Sequence, residues 1–180
     1  MRRPLAAVFI LFSLYTMNAQ VLFDSKKPSQ DHEWYVLDDV VMGGRSLGNF
    51  EQTSKGHIHY SGTISLANNG GFSSLRFAFP PTSVTPESVL RIYLKGDGSK
   101  WQLRVKQNKR NSYSYTTYFT SNKQWEYVEI RLKDLYPVYR GRRLDSSNFN
   151  HNSLEEIIFL IGNKKVQNFE LDIEKIELIQ

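Results

Sequence analysis

Side chains of the types used in catalysis occur in this chain of 180 residues without a spacing that marks an active site. The absence of cysteine excludes a thiolate nucleophile. Glycoside hydrolysis needs two acids that face each other across a cleft. The nearest candidates, Asp134, Asp145, Glu155 and Glu156, lie in or beside a segment without strand patterning. We therefore predict no catalytic residues and no enzymatic activity.

Two histidines and two aspartates are the candidate metal ligands. His57 and His59 stand two residues apart, which on a β-strand places both on one face, as in half of a metal site. Because the other face of that strand is apolar, we expect both imidazoles to be exposed. Asp38 and Asp39 have the oxygen ligands that Ca²⁺ prefers, but capping or turn formation is the favoured role. We predict no bound metal and no cofactor.

Aromatic residues are dense between positions 101 and 139, where they stand beside Arg and Asn. Aromatic faces stack on the apolar faces of sugar rings while polar neighbours bond the hydroxyls, so this composition suits glycan binding. Strands of a β-sandwich also favour Tyr and Trp for packing alone, and packing is the preferred interpretation. The residues concerned are Trp101, Tyr113, Tyr115, Tyr118, Trp125, Tyr127, Tyr136 and Tyr139.

Alternation of polar and apolar residues dominates the segments that must position these side chains, and no sustained helical period is present. The alternating segments are 57–66, 72–79, 88–95, 101–106, 113–120, 125–132, 154–161 and 169–179. Pro80-Pro81 is expected to end its strand, because proline has no N–H to donate. The segment Tyr136–Asn152 is expected to be a long irregular connection. These strands predict an all-β protein, an antiparallel jelly-roll β-sandwich, in a single domain.

The N-terminus has the three parts of a secretory signal. Two arginines precede an apolar run from Leu5 to Leu14, and Ala19 offers a cleavage site. The run is shorter than the roughly 20 apolar residues that span a bilayer, so cleavage is favoured over an uncleaved anchor. No cysteine is present for lipid attachment. We predict a signal peptide over 1–19, a mature domain over 20–180 without a transmembrane segment, and a periplasmic or extracellular location.

The net charge is +5 at pH 7, and the positive residues are spread through the chain with local density at residues 106–110 and 140–143. A basic excess attracts anionic polymers and membrane surfaces, but solvated loops with solubilising charge are the preferred explanation. No nucleic-acid-binding module is recognisable, so nucleic acid is not a predicted partner.

Five segments, taken in order, resemble the complex I intermediate-associated protein family. Residues 39–46 are similar to its "DxVMGGxS" motif, residues 68–76 to "NNGGFxSxR", and residues 95–98 to "KGDG". Residues 139–142 resemble "FRGR" with Tyr in place of Phe, and residues 169–176 fit the family's last strand. The resemblance extends over nearly the whole chain after the predicted signal.

This resemblance implies a galactose-binding-domain-like jelly roll and a non-enzymatic, chaperone-like role in assembling respiratory complex I. Together with the export signal, it predicts an exported binding module for a protein or glycan partner. An assembly factor for a membrane-bound respiratory or envelope complex is the alternative, and a carbohydrate-active enzyme is least favoured. The glycine pairs are expected to let two loops pack closely at one end of the sandwich. The predicted binding residues are Asp39, Met42, Gly43, Gly44, Arg45, Ser46, Asn69, Gly70, Gly71, Phe72, Arg76, Tyr139, Arg140 and Arg142.

Overall fold

The computed structural model describes residues 19–27 and 32–180, and most of this part of the chain forms β-strands. The predicted signal peptide, apart from Ala19, lies outside the described residues. The strands are β1 (Ala19–Asp24), β2 (Glu33–Asp38), β3 (Leu47–Gln52), β4 (Ile58–Ile64), β5 (Ser73–Ser83), β6 (Val89–Gly96), β7 (Lys100–Lys106), β8 (Ser114–Thr120), β9 (Glu126–Arg131), β10 (Tyr136–Tyr139), β11 (Arg142–Arg143), β12 (Ser153–Ile161) and β13 (Gln167–Ile179). Within the described residues the helical segments are short 3-10 turns, and no helix is long and apolar enough to span a bilayer.

The strands form two antiparallel sheets with a shared apolar core between them. The six-stranded sheet has the order β3-β4-β13-β6-β9, with β1 also paired to β13. The seven-stranded sheet has the order β11-β10-β8-β7-β12-β5-β2. Neighbours in each sheet are mostly distant in sequence, as in a jelly roll. The predicted antiparallel jelly-roll sandwich is confirmed.

Alternate residues of the strands fill the space between the sheets. The core includes Leu90, Ile92 and Leu94 of β6 and Trp101, Leu103 and Val105 of β7, all without exposed surface. The residues between them, such as Gln102 and Arg104, point away from this core. A one-residue slip in register would exchange the two sets, so the alternation fixes the pairing of the strands.

The prediction that Pro80-Pro81 ends its strand is wrong. β5 continues to Ser83, and its pairing with β12 shifts between Ala78 opposite Glu156 and Thr82 opposite Leu154. The prolines lie in this β-bulge, where the ladder requires no N–H from them.

The segment 136–152 is also not the irregular connection that was predicted. Residues 136–143 form the hairpin of β10 and β11, in which Tyr139 pairs with Arg142. The two loop residues, Arg140 and Gly141, have φ angles of 47° and 76°. Positive φ at both positions is typical of the tight turns whose twist matches paired strands.

Candidate binding site

A connected set of polar side chains covers the face of the seven-stranded sheet that is turned away from the core. Side chains of directly paired residues lie on the same side of a sheet, so the register arranges them in rows. The central row is Tyr35, Arg76, Ile158, Arg104, Thr116 and Tyr136. The flanking rows are Leu37, Ser74, Leu160, Gln102 and Tyr118 on one side, and Glu33, Ala78, Glu156 and Lys106 on the other. We call the surface formed by these three rows the polar face.

Glu156 is fully buried within the polar face and is paired there with two cations. Its Oε1 accepts a hydrogen bond from the Tyr35 hydroxyl and lies 3.5 Å from Arg76 Nη1. Its Oε2 lies 3.7 Å from Lys106 Nζ. Burial and the bond to Glu156 raise the pKa of Tyr35 to about 12, so the phenol remains a donor at neutral pH. The Glu156 carboxylate is thus the ion-pair partner of both Arg76 and Lys106.

Arg104 has no carboxylate partner in the described part of the chain. Its Nε and Nη2 donate to Gln102 Oε1 at 3.0 and 2.6 Å. Burial lowers the pKa of Arg104, and the positive charge of Arg76 lowers it further, although nearby Tyr118 opposes both. The guanidinium is therefore a partly desolvated charge beside a neutral acceptor, an arrangement that an incoming anion would stabilise.

A cleft of about 280 Å³ opens beside this guanidinium, and we call it the Arg104 cleft. Its lining consists of Gln102, Arg104, Thr116, Tyr118, Tyr136, Val138, Gly141 and Arg143. Lys100 Nζ lies 4.4 Å from the centre of the Tyr118 ring, and the Arg143 guanidinium carbon lies 4.7 Å from that of Tyr136. Burial and the neighbouring Tyr118 raise the pKa of Tyr136. The cleft combines aromatic rings with cations and contains no acidic side chain in its lining.

The predicted binding residues of the glycine motifs meet around Asp39, which has no exposed surface. Asp39 Oδ1 accepts from the Ser46 amide at 2.9 Å. Oδ2 accepts from the Ser46 hydroxyl at 2.6 Å, from the Phe72 amide at 3.2 Å and from the Gly71 amide. Burial alone would raise the pKa of Asp39, but these hydrogen bonds hold it below its ordinary value. We call residues 39–46 and 68–72 the Asp39 loop cluster.

The glycines of this cluster are required for two different reasons. A Cβ on Gly44 would lie 2.2 Å from Asp39 Oδ1, and one on Gly70 would lie 2.5 Å from Oδ2. Gly43 has open space around it but a φ of 87°, and Gly71 has a φ of 138°. One glycine of each pair thus makes room for the carboxylate, while the other adopts a left-handed or otherwise strained backbone. The close packing predicted for the two loops is present.

One turn of this cluster exposes three apolar side chains. Val40, Val41 and Met42 are 57%, 67% and 65% exposed, and Arg45 and Asn69 are also exposed. Val40, Val41 and Met42 stand on the 3-10 turn Asp39–Met42, whose first residue is the buried Asp39. Val40, Val41 and Met42 therefore form a short exposed apolar surface, which we call the apolar tip.

Ser46 falls in a Gly-x-Ser-x-Gly sequence, Gly44 to Gly48, which is the nucleophile pattern of α/β-hydrolases. That pattern requires an exposed hydroxyl on a turn between a strand and a helix. Ser46 is fully buried, leads into strand β3, and donates its hydroxyl to Asp39. Its role is structural.

The remaining predicted binding residues lie elsewhere on the seven-stranded sheet. Arg76 is on the polar face, paired with Glu156. Tyr139, Arg140 and Arg142 are exposed in the β10–β11 hairpin. Four strands separate β10 from β2, which leads into Asp39, so about 24 Å lies between the hairpin and the loop cluster. The structure brings the first two loops together but not the third.

The two candidate histidines are less exposed than predicted. The side chains of His57 and His59 are 17% and 28% exposed, and His59 Nδ1 lies 2.6 Å from Asp172 Oδ1. Asp38, the other candidate calcium ligand, accepts from the Gly48 amide at 3.0 Å and from the Ser73 hydroxyl. All of these groups are therefore engaged in internal contacts.

The aromatic residues considered for packing or for sugar binding divide between the core and the outward faces of the two sheets. Trp101 is in the core, and Tyr115 is buried with its hydroxyl 2.7 Å from His151 Nε2. Tyr118 and Tyr136 belong to the polar face, whereas Tyr127 is on the outward face of the six-stranded sheet. Apart from the local basic density at residues 106–110 and 140–143 and the alternation that turns some side chains outward, no sequence pattern indicated the partners Tyr35, Gln102, Arg104, Lys106 and Arg143.

The two antiparallel sheets and their strand order define a galactose-binding-like jelly-roll β-sandwich. Residues 22–173 match the model of the family described as Complex I intermediate-associated protein 30 (CIA30), and the chain belongs to this family. No curated protein matches the chain in sequence.

Solved carbohydrate-binding modules share the fold. Two structures of the family 11 module from Clostridium thermocellum match with TM-scores of 0.64 and 0.63 at 15% and 16% identity. They cover 91% and 89% of this chain, and 95% of each module is covered. The second is in complex with a beta-1,3-1,4-mixed-linked tetrasaccharide. A family 29 module matches with a TM-score of 0.54 at 9% identity, over 91% of this chain and 86% of that one.

Proposed function

We propose that the protein is an exported, non-catalytic binding module that holds a glycan against the polar face. The observation that carries this proposal is the Arg104 cleft, in which two tyrosine rings stand beside the hydrogen-bonding groups of Gln102 and Arg104. Aromatic rings stack on sugar rings, and planar amide and guanidinium groups bond sugar hydroxyls. The family 11 module with its bound tetrasaccharide supports the choice of a glycan.

The strands hold these side chains in place before any ligand arrives. Sites built on paired strands are more precise than sites on loops, which reduces the entropy lost on binding. The cleft volume of 280 Å³ lies near the lower end of the roughly 300–1,000 Å³ typical of ligand pockets. It suits one sugar unit of a longer chain that runs across the face.

Substitution of Tyr118 tests the proposal, with Tyr127 as a matched control. The two side chains are 46% and 54% exposed but belong to opposite faces of the sandwich. We expect Tyr118→Ala to weaken polysaccharide binding about tenfold, measured by affinity electrophoresis, because the lost aromatic contact should cost about 1.4 kcal/mol. Tyr127→Ala should leave binding unchanged. Weaker binding by Tyr127→Ala together with unchanged binding by Tyr118→Ala would contradict glycan binding at the polar face.

The apolar tip favours a second candidate, docking of a protein partner, as expected of an assembly factor. Contiguous exposed apolar residues are typical of interaction sites. A photo-crosslinking residue at Val41, which is 67% exposed, should capture the partner in intact cells. The same residue at Val166, an isolated position that is 68% exposed, is the control. Equal products from both positions, or none, would dismiss this candidate.

Export is proposed from the N-terminal sequence. Ala19 pairs with Ile179 at the start of β1, so cleavage after Ala19 would leave the strand from Gln20 to Asp24 available for pairing. The intact mass of the exported protein should correspond to a chain that begins at Gln20. A full-length mass in the cytoplasm would contradict export.

A further inference from the structure

We infer that the glycan is acidic, and that the Arg104 cleft binds the carboxylate of a uronic acid or the sulfate ester of a sulfated sugar. This inference rests on the proposed function and specifies its class of ligand. Both groups share the chemistry that matters here, an anion with two or three oxygens in a compact fork.

Cations outnumber carboxylates on the polar face. Arg76, Arg104 and Lys106 belong to the three rows, and Lys100 and Arg143 stand beside Tyr118 and Tyr136. The rows contain two carboxylates. Glu156 is committed to Arg76 and Lys106, and Glu33 lies at the edge strand β2, far from the cleft in the strand order. The Arg104 cleft is therefore lined by two cations, Arg104 and Arg143, and by no acidic side chain.

Several hydrogen-bond donors of Arg104 remain available to a ligand. A guanidinium has five N–H groups, and Gln102 Oε1 accepts only from Nε and from Nη2. Nη1 and the second hydrogen of Nη2 remain for a ligand, in the fork that binds carboxylate and sulfate in a bidentate manner. Gln102 also fixes the plane of the guanidinium, so the remaining donors are oriented in advance.

The outward face of the six-stranded sheet shows that this excess is local. There Arg91 and Lys175 pair with Glu177 at 2.8 and 2.6 Å, and Lys95 pairs with Asp172 at 3.3 Å. These three cations have acidic partners. Arg104 and Arg143, which line the Arg104 cleft with Tyr118 and Tyr136, have no such partner among the described residues.

The experiment compares polymers that differ in charge alone. Polygalacturonate is paired with its methyl ester, and dextran sulfate with dextran, in titration calorimetry at about 0.15 M salt, where the Debye length is roughly 8 Å. We expect the anionic member of at least one pair to bind at least tenfold more tightly than its neutral partner. The pair that responds distinguishes carboxylate from sulfate.

Arg104→Met removes the charge but keeps a long apolar side chain, and Arg143→Met, at an exposed position, is the second variant. Each should reduce binding of the preferred anionic polymer about tenfold, with an unchanged melting temperature. Lys55→Met removes one positive charge at the exposed turn between β3 and β4 of the six-stranded sheet and should change binding less than about twofold.

The results separate the two proposals. Equal binding of charged and neutral polymers that depends on Tyr118 overturns the acidic ligand but leaves glycan binding intact. Failure of all four polymers to bind overturns both. Equal losses in Arg104→Met and Lys55→Met, or tighter Arg104-dependent binding of phosphatidylserine vesicles or single-stranded DNA, also overturn the acidic glycan.

Discussion

Replacement of Asp39 by Asn tests whether its carboxylate holds the two glycine loops together. The change keeps the size of the side chain and removes its charge. If the Asn oxygen takes the place of Oδ2, its NH₂ group faces the Ser46 amide, which then loses its acceptor. One lost charge-assisted hydrogen bond and three weakened ones should cost about 2–4 kcal/mol. For a domain of this size, that corresponds to a fall in melting temperature of roughly 5–15 °C.

Urea unfolding followed by tryptophan fluorescence measures this cost, with Asp145→Asn at an exposed loop position as the control. The control should change the free energy of unfolding by less than about 0.5 kcal/mol. A value within that range for Asp39→Asn would refute the reasoning, because the buried carboxylate would then contribute no more than a surface one.

The pH dependence adds an independent test of the same residue. The folded pKa of Asp39 is held below its ordinary value of about 4, so its stabilisation is complete above that pH. It is lost as the pH falls through the folded pKa. The difference in stability between the wild type and Asp39→Asn should therefore narrow below about pH 4. A constant difference down to pH 2 would show that the charge is not responsible.

The remaining predictions concern the glycine pair and the polar face. Gly44→Ala should destabilise the protein more than Gly43→Ala in urea unfolding, because a methyl group at position 44 clashes with Asp39. At position 43 the substitution costs only the roughly 1–2 kcal/mol of a left-handed backbone conformation. Equal losses of stability in the two variants would contradict this prediction. Because the pKa of Tyr35 is raised to about 12 in the folded protein, its neutral phenol stabilises the fold fully below about pH 10, and this contribution is lost as the pH rises through 12. Tyr35→Phe should therefore reduce the fall in melting temperature at alkaline pH. Glu156→Gln should lower the free energy of unfolding in urea by about 1–3 kcal/mol, because Arg76 and Lys106 lose their carboxylate partner. The same change should strengthen dextran sulfate binding, since it leaves the polar face more positive. Weaker binding would contradict the role of positive charge in ligand binding.

Local patterns predicted the fold well because they act over a few residues. Alternation along 88–95 and 101–106 identified strands and their buried faces, since a strand with one face in the core repeats every two residues. The errors arose where tertiary pairing outweighed local preference. Pro80-Pro81 is tolerated by a bulge against β12, and the β10 strand forms because β8 lies beside it.

The Asp39 loop cluster was also largely predictable. Its two motifs are only about 25 residues apart, and glycine pairs signal close approach directly. The sequence could not show that the object approached is the Asp39 carboxylate rather than a ligand. It also did not separate these loops from the β10–β11 hairpin at the opposite edge of the sheet.

The sequence by itself determined the β-sandwich, the alternation that turns Gln102 and Arg104 outward, and the loops that need glycine. Only the tertiary structure decided the polar face. Tyr35 and Glu156 are 121 residues apart in sequence, yet strand order and register bring their side chains into hydrogen-bonding contact. Arg104 and Tyr136 join the same row through Thr116. Strand order is set by the packing of the whole core, so no local pattern records which side chains will share a row.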